Sequence, residues 1–140
     1  MKIVIGVGNE LRKDDGIGVK IVKSLSREKI RNVRFFIGYE TPENLIEKIK
    51  TLKPTKVFIV DAVNFSGKVG EVKKIEAKKT PFFTHKPDYK FFKNFLDCDV
   101  EIIGIQPKDL SYGEDLSNEL SSKFEKIKED VRKIILSKEF

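Results

Sequence analysis

A glycine-rich turn near the start of the chain carries two adjacent carboxylates. The stretch GNELRKDDGIG, residues 8–18, has the outline of a phosphate-binding loop, but it places Asp14 and Asp15 where a phosphate would bind. Two negative charges repel a phosphate and attract a cation. The turn is therefore a candidate for contact with a cation rather than for phosphate binding.

Two further residues could complete such a site. Asp61 ends an apolar run, and a carboxylate there must be paired, face a cleft or bind a cation. His85 is the one histidine of the chain. Together Asp15, Asp61 and His85 would form a mixed oxygen and nitrogen site that suits a borderline divalent cation such as nickel or zinc. Three protein ligands would leave open positions for water or a substrate.

The elements that must position these residues follow from the apolar pattern. Continuous β-branched runs predict buried parallel strands, while alternation predicts an exposed one. The third strand is the most apolar and should be central, whereas the fourth should lie nearer an edge. The predicted strands cover residues 2–7, 33–37, 56–63, 69–77 and 100–105.

Helices are predicted between these strands. Ile17, Ile21, Val22 and Leu25 share one face of the first helix. Thr41-Pro42 has the pattern of an N-cap and a first helical residue, followed by an amphipathic helix to Leu52. A short helix is expected within residues 82–95, and a long closing helix follows the apolar positions from Leu120 to Ile134. The fold class predicted is α/β: a three-layer α/β/α sandwich with a mostly parallel central sheet, of the phosphorylase/hydrolase-like kind.

This architecture brings the candidate residues to one place. In open parallel sheets, ligands bind beyond the carboxyl ends of the strands. Asp15 follows the first strand, Asp61 lies near the end of the third, and His85 follows the fourth. We therefore expect all three at one edge of the sheet.

Other interpretations of these residues remain open on the sequence alone. Asp14 and Asp15 could form a turn pair or cap the helix that begins near Gly16. Chemistry does not decide which of the two is the ligand, although the spacing from Gly8 favours Asp15. His85 could cap a helix. A dinucleotide site is disfavoured, because Leu11 occupies the place of the third glycine in GxGxxG.

Composition narrows the class of protein. A chain of 140 residues fits a single domain, 1–140. Its net charge of +6 comes from lysines spread along the sequence, so we predict no nucleic-acid partner. The lack of a long apolar segment or signal peptide predicts no membrane insertion, and the single cysteine fits a cytoplasmic location. Cys98 lies between Asp97 and Asp99, which disfavour a thiolate, so we interpret it as structural.

Six sequence blocks occur in order along almost the full length of the chain: GVGNELRKDDGIG at 6–18, PEN at 42–44, FIVDAV at 58–63, GEV at 70–72, TH at 84–85 and GIQP at 104–107. In this order and spacing the chain resembles the hydrogenase maturation endopeptidases, especially those that serve energy-converting or formate-linked nickel-iron hydrogenases.

The resemblance implies a hydrolase that removes a C-terminal extension from the large-subunit precursor of a nickel-iron hydrogenase after nickel insertion. It implies that Asp15, Asp61 and His85 are both the metal-contacting and the catalytic residues. The nickel would come from the precursor, which is the implied partner, and the enzyme is expected to be a monomer. Two alternatives from other classes are a nickel-binding or nickel-escort protein of the same fold without peptidase activity, and a nucleotide-binding module.

Two segments depart from the pattern of the resembled family. The family has a small residue after the glycine that ends the second strand, where this chain has Gly38 followed by Tyr39 and Glu40. Pro87 also lies closer to His85 than in the family pattern. Both changes predict an altered choice of substrate rather than a different class of enzyme.

Overall fold

The computed structural model describes residues 1–76 and 89–138, with the side chains of Lys90 and Phe91 excepted. Its centre is a five-stranded sheet. The strands are β1 (Lys2–Val7), β2 (Val33–Tyr39), β3 (Lys56–Ala62), β4 (Val72–Glu76) and β5 (Asp99–Ile105). Their order across the sheet is β2-β1-β3-β5-β4. The central position of β3 and the edge position of β4 are confirmed.

Four of the five strands run parallel, and only β4 is antiparallel, to its neighbour β5. In β3 every residue is buried, since this strand is covered on both faces and paired along both edges. In β4 the burial is partial, as expected for an edge strand. The mostly parallel α/β architecture predicted from the sequence is confirmed.

Helices cover both faces of the sheet. They are α1 (Ile17–Ser26), α2 (Ile46–Thr51), α3 (Tyr89–Phe95), α4 (Asn118–Ser122) and α5 (Phe124–Leu136). One core packs α2 and α3 against alternate residues of the strands, such as Ile3, Ile5 and Ile59. The other packs α1, α4 and α5 against the intervening residues, such as Val4, Phe58 and Val60. Because successive residues of a strand face opposite sides of the sheet, helices pack on both sides, and the fold has three layers.

Two predicted helices differ from the structure. The segment after Thr41 begins with a 3-10 turn at Pro42–Leu45 and becomes α-helical only at Ile46. Thr41 and Pro42 do occupy the predicted N-cap and first positions, but of the 3-10 turn, and the Thr41 hydroxyl makes no capping hydrogen bond. The predicted long closing helix is divided at Lys123 into α4 and α5, although the apolar stripe continues through both. Periodicity reports the buried face and does not detect a one-residue break.

Within the described residues, no helix has the length and apolar character needed to cross a membrane.

Candidate functional site

Asp14 is buried and serves as a clasp between two loops. Its Oδ2 accepts hydrogen bonds from the backbone amides of Lys108 and Asp109, both at 2.9 Å. The same oxygen accepts from the Ser117 hydroxyl at 2.8 Å, while Oδ1 accepts from the Ser117 amide at 2.7 Å. Four donors satisfy the lone pairs of this carboxylate. The proposed cap at the start of α1 is wrong for Asp14, since its partners lie beyond β5 and at the N-cap of α4.

Asp15 has a different environment from its neighbour. It lies in a short 3-10 helix, Lys13–Gly16, which places its side chain at the carboxyl edge of the sheet. The side chain is buried, and its Oδ2 accepts a hydrogen bond from the Asn9 amide at 3.0 Å. Gly8 makes this turn possible because its φ is +140°, and a Cβ there would lie 2.0 Å from the Asp15 carbonyl oxygen.

Asp61 lies at the carboxyl end of β3 and is fully buried. Its Oδ2 accepts a hydrogen bond at 2.9 Å from the hydroxyl of Tyr89, the first residue of α3. The Tyr89 ring is itself buried in the core between α3 and the sheet. The helix on one face of the sheet therefore contacts a carboxylate at the end of the central strand.

The two carboxylates are brought near each other because the 3-10 turn that carries Asp15 packs against β3, which carries Asp61. Burial raises the pKa of the Tyr89 phenol well above its usual value, and the negative charge of Asp61 adds to the effect. Glu43 and Asp15 raise the pKa further through their charges. Three acidic residues thus raise the pKa of one buried hydroxyl: Asp15 after β1, Glu43 after β2 and Asp61 in β3. The structure brings Asp15 and Asp61 to the same edge.

The close packing of α1 against the sheet holds Asp15 near Asp61. Gly18, three residues after Asp15, lies so close to the sheet that a Cβ would be 2.2 Å from the Val60 carbonyl oxygen. Val60 directly precedes Asp61. The start of α1 is therefore in contact with the end of β3, where the candidate site lies.

His85 lies outside the described residues, so the structure does not test its place in the site. Among residues 1–76 and 89–138, no cluster of three or more metal-ligating side chains occurs. The described part of the chain contributes two carboxylates to the candidate site. The assignment of Asp15, Asp61 and His85 as metal contacts and catalytic residues stays a prediction.

Two loops are joined into a continuous wall beside Asp15, which we call the rim: residues 8–16 after β1 and residues 107–117 after β5. The Lys13 amide donates to the Gly113 carbonyl at 2.8 Å, and the Gly113 amide donates to the Leu11 carbonyl at 2.8 Å. The Arg12 Nε donates to the Leu110 carbonyl at 3.2 Å. These bonds and the Asp14 clasp hold both loops in one arrangement.

Gln106 organises the loop after β3. Its Oε1 accepts hydrogen bonds from the amides of Phe65 at 2.9 Å and Gly67 at 3.1 Å. Its Nε2 donates to Asn64 Oδ1 at 3.1 Å. The side chain is almost fully buried, so these bonds replace the contacts with water that it has lost. The GIQP block thus supports the segment that follows Asp61.

Comparison with known proteins agrees with this geometry. A family model described as hydrogenase maturation protease matches residues 19–138. A Methanocaldococcus jannaschii protein assigned to the hydrogenase maturation proteases is 33% identical over 125 residues, covering 79% of this chain and 74% of that protein. The chain belongs to the hydrogenase maturation protease family.

Further similarities are consistent with this membership. The Hydrogenase 3 maturation protease of Escherichia coli is 31% identical over 112 residues, which cover 75% of this chain and 72% of that protein. The crystal structure of the [NiFe] hydrogenase maturation protease HycI from Thermococcus kodakarensis superposes with a TM-score of 0.81 and 29% identity. That match covers 97% of this chain and 92% of the other. As a member of this family, the chain is a protease, and therefore a hydrolase.

The departure from the family pattern at Tyr39 has a visible structural consequence in this maturation protease. Tyr39 adopts a left-handed φ of 50°, a conformation that favours glycine. Its carbonyl accepts a hydrogen bond from the Gly8 amide at 2.9 Å, and its ring is 48% exposed. Lys23 lies 5.6 Å from the centre of the ring and donates to Glu10 at 2.8 Å. A cation and an aromatic ring therefore flank the turn that carries Asp15.

Sequence reasoning did not single out Tyr89, which contacts Asp61 in the candidate site of this protease. Residues 82–95 were predicted only to include a short helix. Tyr89 and Phe92 are indeed core residues, but the tyrosine hydroxyl reaches Asp61. The available signal was a tyrosine among the phenylalanines of this aromatic segment, since a buried hydroxyl needs a polar partner.

Cys98 is a free, partly exposed cysteine at the start of β5. Burial raises the pKa of its thiol, and the charges of Asp99 and Asp97 raise it further. A raised thiol pKa disfavours the reactive thiolate. Burial therefore supports the interpretation of Cys98 as structural, in addition to the two acidic neighbours seen in the sequence.

Proposed function

We propose that this protein removes the C-terminal extension of a nickel-iron hydrogenase large-subunit precursor after nickel has been inserted. The observation that carries the proposal is the burial of Asp15 and Asp61 at the carboxyl edge of the sheet, where the turn that carries Asp15 packs against β3. Family membership supplies the class of reaction, and this edge is where an open α/β sheet binds its ligands.

Nickel enters this reaction as part of the substrate. Buried carboxylates are costly unless a cation or hydrogen-bond donors compensate them, and an incoming metal ion supplies positive charge. Carboxylate and imidazole groups are suitable ligands for such an ion, so Asp15, Asp61 and His85 would occupy its open positions. Because the rim is braced by hydrogen bonds, the peptide beside the nickel would be held against a preformed surface.

The proposal gives the protease a checkpoint. Hydrolysis adds water across the peptide bond and yields a new carboxylate and a new amine. The site is complete only when the precursor brings its nickel. The protease therefore cleaves loaded precursor and leaves unloaded precursor intact. Cleavage is thereby coupled to metal insertion.

Mass spectrometry of a large-subunit precursor, nickel-loaded or nickel-free, tests the proposal. We expect loss of a C-terminal peptide from the loaded form alone. Asp15→Asn and Asp61→Asn should each abolish cleavage while circular dichroism and the melting curve show a folded protein. The Asp97→Asn variant is the matched control: Asp97 is exposed between α3 and β5, away from the rim, so this variant should cleave at the wild-type rate.

Two results would overturn the proposal. Equal cleavage of both precursor forms would show that nickel is not recognised, and wild-type cleavage by the folded Asp15→Asn and Asp61→Asn variants would show that the site lies elsewhere. Tight nickel binding by the isolated protein, with no cleavage of verified loaded precursor, would favour the nickel-escort alternative.

A further inference from the structure

We propose that Tyr89 is a positioning residue for Asp61, fixing the orientation of its carboxylate toward the nickel-bearing part of the precursor. The inference deepens the proposed function and rests on it. It assigns a role in substrate recognition to a residue of α3, on the opposite face of the sheet from α1.

The position of the Tyr89 hydroxyl is set by packing. The residue is 1% exposed, and its ring lies in the same core as Ile59 of β3 and Ile102 of β5. Phe92, one turn later in α3, contacts it with ring centroids 6.3 Å apart and a tilt of 54°. A tyrosine packed on these sides has little freedom in either side-chain torsion. Its hydroxyl is therefore fixed relative to the central strand.

The hydrogen bond transmits this rigidity to Asp61. The hydroxyl donates to Oδ2 at 2.9 Å, and Asp61 is itself fully buried. A carboxylate that accepts a hydrogen bond from a fixed donor cannot rotate freely about its terminal torsion, so the orientation of the group is restricted. Hydrogen-bonding partners of metal-contacting carboxylates commonly set ligand orientation in this way.

Location distinguishes this pair from an ordinary buried hydrogen bond. Tyr89 begins α3 and follows His85 by four residues in the sequence. Its contact with Asp61 thus connects the helix that follows the histidine segment to the central strand. The 3-10 turn that carries Asp15 also packs against β3, which carries Asp61. The bond lies where two candidate ligands meet.

The test compares Tyr89→Phe, which removes only the hydroxyl, with Phe92→Leu, which disturbs the same helix and core without touching the hydrogen bond. We expect Tyr89→Phe to lower kcat/KM on nickel-loaded precursor by about 10- to 100-fold. Its Kd for loaded precursor should rise while its Kd for nickel-free precursor stays unchanged. Phe92→Leu should lower the melting temperature yet keep the wild-type ratio of the two Kd values.

A double-mutant cycle identifies the route of the effect. If Tyr89 acts through Asp61, adding Tyr89→Phe to Asp61→Asn should change the Kd for loaded precursor by less than about twofold. A full additional loss would contradict the inference, and so would a Tyr89→Phe variant with wild-type kcat/KM and Kd ratio. A wild-type protein that neither binds nor cleaves loaded precursor would overturn the proposed function, and this inference with it.

Discussion

At the scale of single residues, the two adjacent aspartates of the first loop have separate tasks. Asp14 accepts four hydrogen bonds from residues of another loop, whereas Asp15 lies at the carboxyl edge and influences Tyr89. The two have the same chemistry and adjacent positions. Their partners distinguish the carboxylate that joins the two loops of the rim from the one that lies in the candidate site.

The clasp made by Asp14 predicts a large effect on stability. Asp14→Asn keeps the size of the side chain but replaces one acceptor oxygen with a donor, which faces the amides of Lys108 and Asp109 or of Ser117. Because buried hydrogen bonds to a charged group are lost and donors are left unmatched, we expect the free energy of unfolding to fall by about 3 kcal/mol. Urea denaturation measures this change.

Asp115→Asn is the control for this measurement, since Asp115 is exposed in the same loop and should leave the denaturation midpoint unchanged. An Asp14→Asn protein as stable as the wild type would show that the clasp contributes nothing. Asp15→Asn provides the complementary comparison, because its expected defect is in cleavage.

At the scale of elements, the contact between α1 and the sheet controls the site. A protein with glycine in a helix interior is ordinarily less stable, by about 1 kcal/mol, than the same protein with alanine at that position. Gly18 is an exception, since a Cβ there would lie 2.2 Å from the Val60 carbonyl oxygen and 2.7 Å from that of Val7. Both obstacles are backbone atoms of central strands, which cannot move aside as a flexible side chain would.

Gly18→Ala should therefore destabilise the protein by about 3 kcal/mol, despite the better helix propensity of alanine. It should also lower cleavage, because pushing α1 away from β3 separates Asp15 from Asp61. Thermal denaturation and precursor cleavage measure the two effects. Lys20→Ala, on the same helix, should change neither by much, and a neutral or stabilising Gly18→Ala would contradict the close packing.

The elements also show how far sequence reasoning extends. All five strands and the central place of β3 were predictable, because β-branched runs and alternation report burial directly. The break at Lys123 and the 3-10 turn at Pro42–Leu45 were not. Both leave the apolar face intact, so the hydrophobic pattern carries no trace of them.

At the scale of the whole molecule, the large exposed apolar side chains of the described residues lie mainly near the carboxyl ends of the strands. Leu11 and Tyr112 are 59% and 85% exposed on the rim, beside the candidate site. Leu136 is 48% exposed but lies near Lys2, Lys56 and Asp99, at the amino ends of the strands. Substitutions at Leu11 and Tyr112 can therefore test whether the rim binds the precursor, and a substitution at Leu136, at the opposite end of the sheet, serves as the control.

Under the proposed function, the rim contacts the body of the precursor, a folded protein presenting its nickel to the edge of the sheet. Leu11→Ser combined with Tyr112→Ser should raise KM for loaded precursor about tenfold or more with little change in kcat, because binding contacts far from the reacting bond are lost. Leu136→Ser should leave both constants unchanged. Equal effects at the two ends would argue against docking at the rim.

The sequence by itself determined the strands, the family and the placement of Asp15 and Asp61 at one edge, because buried strands and motif order are local properties of the chain. Tertiary structure decided the roles of Asp14 and Tyr89. The partners of Asp14 lie 94 to 103 residues away, and Asp61 lies 28 residues from Tyr89. Hydrogen bonds over such separations depend on how the sheet brings loops together, and no local pattern records them.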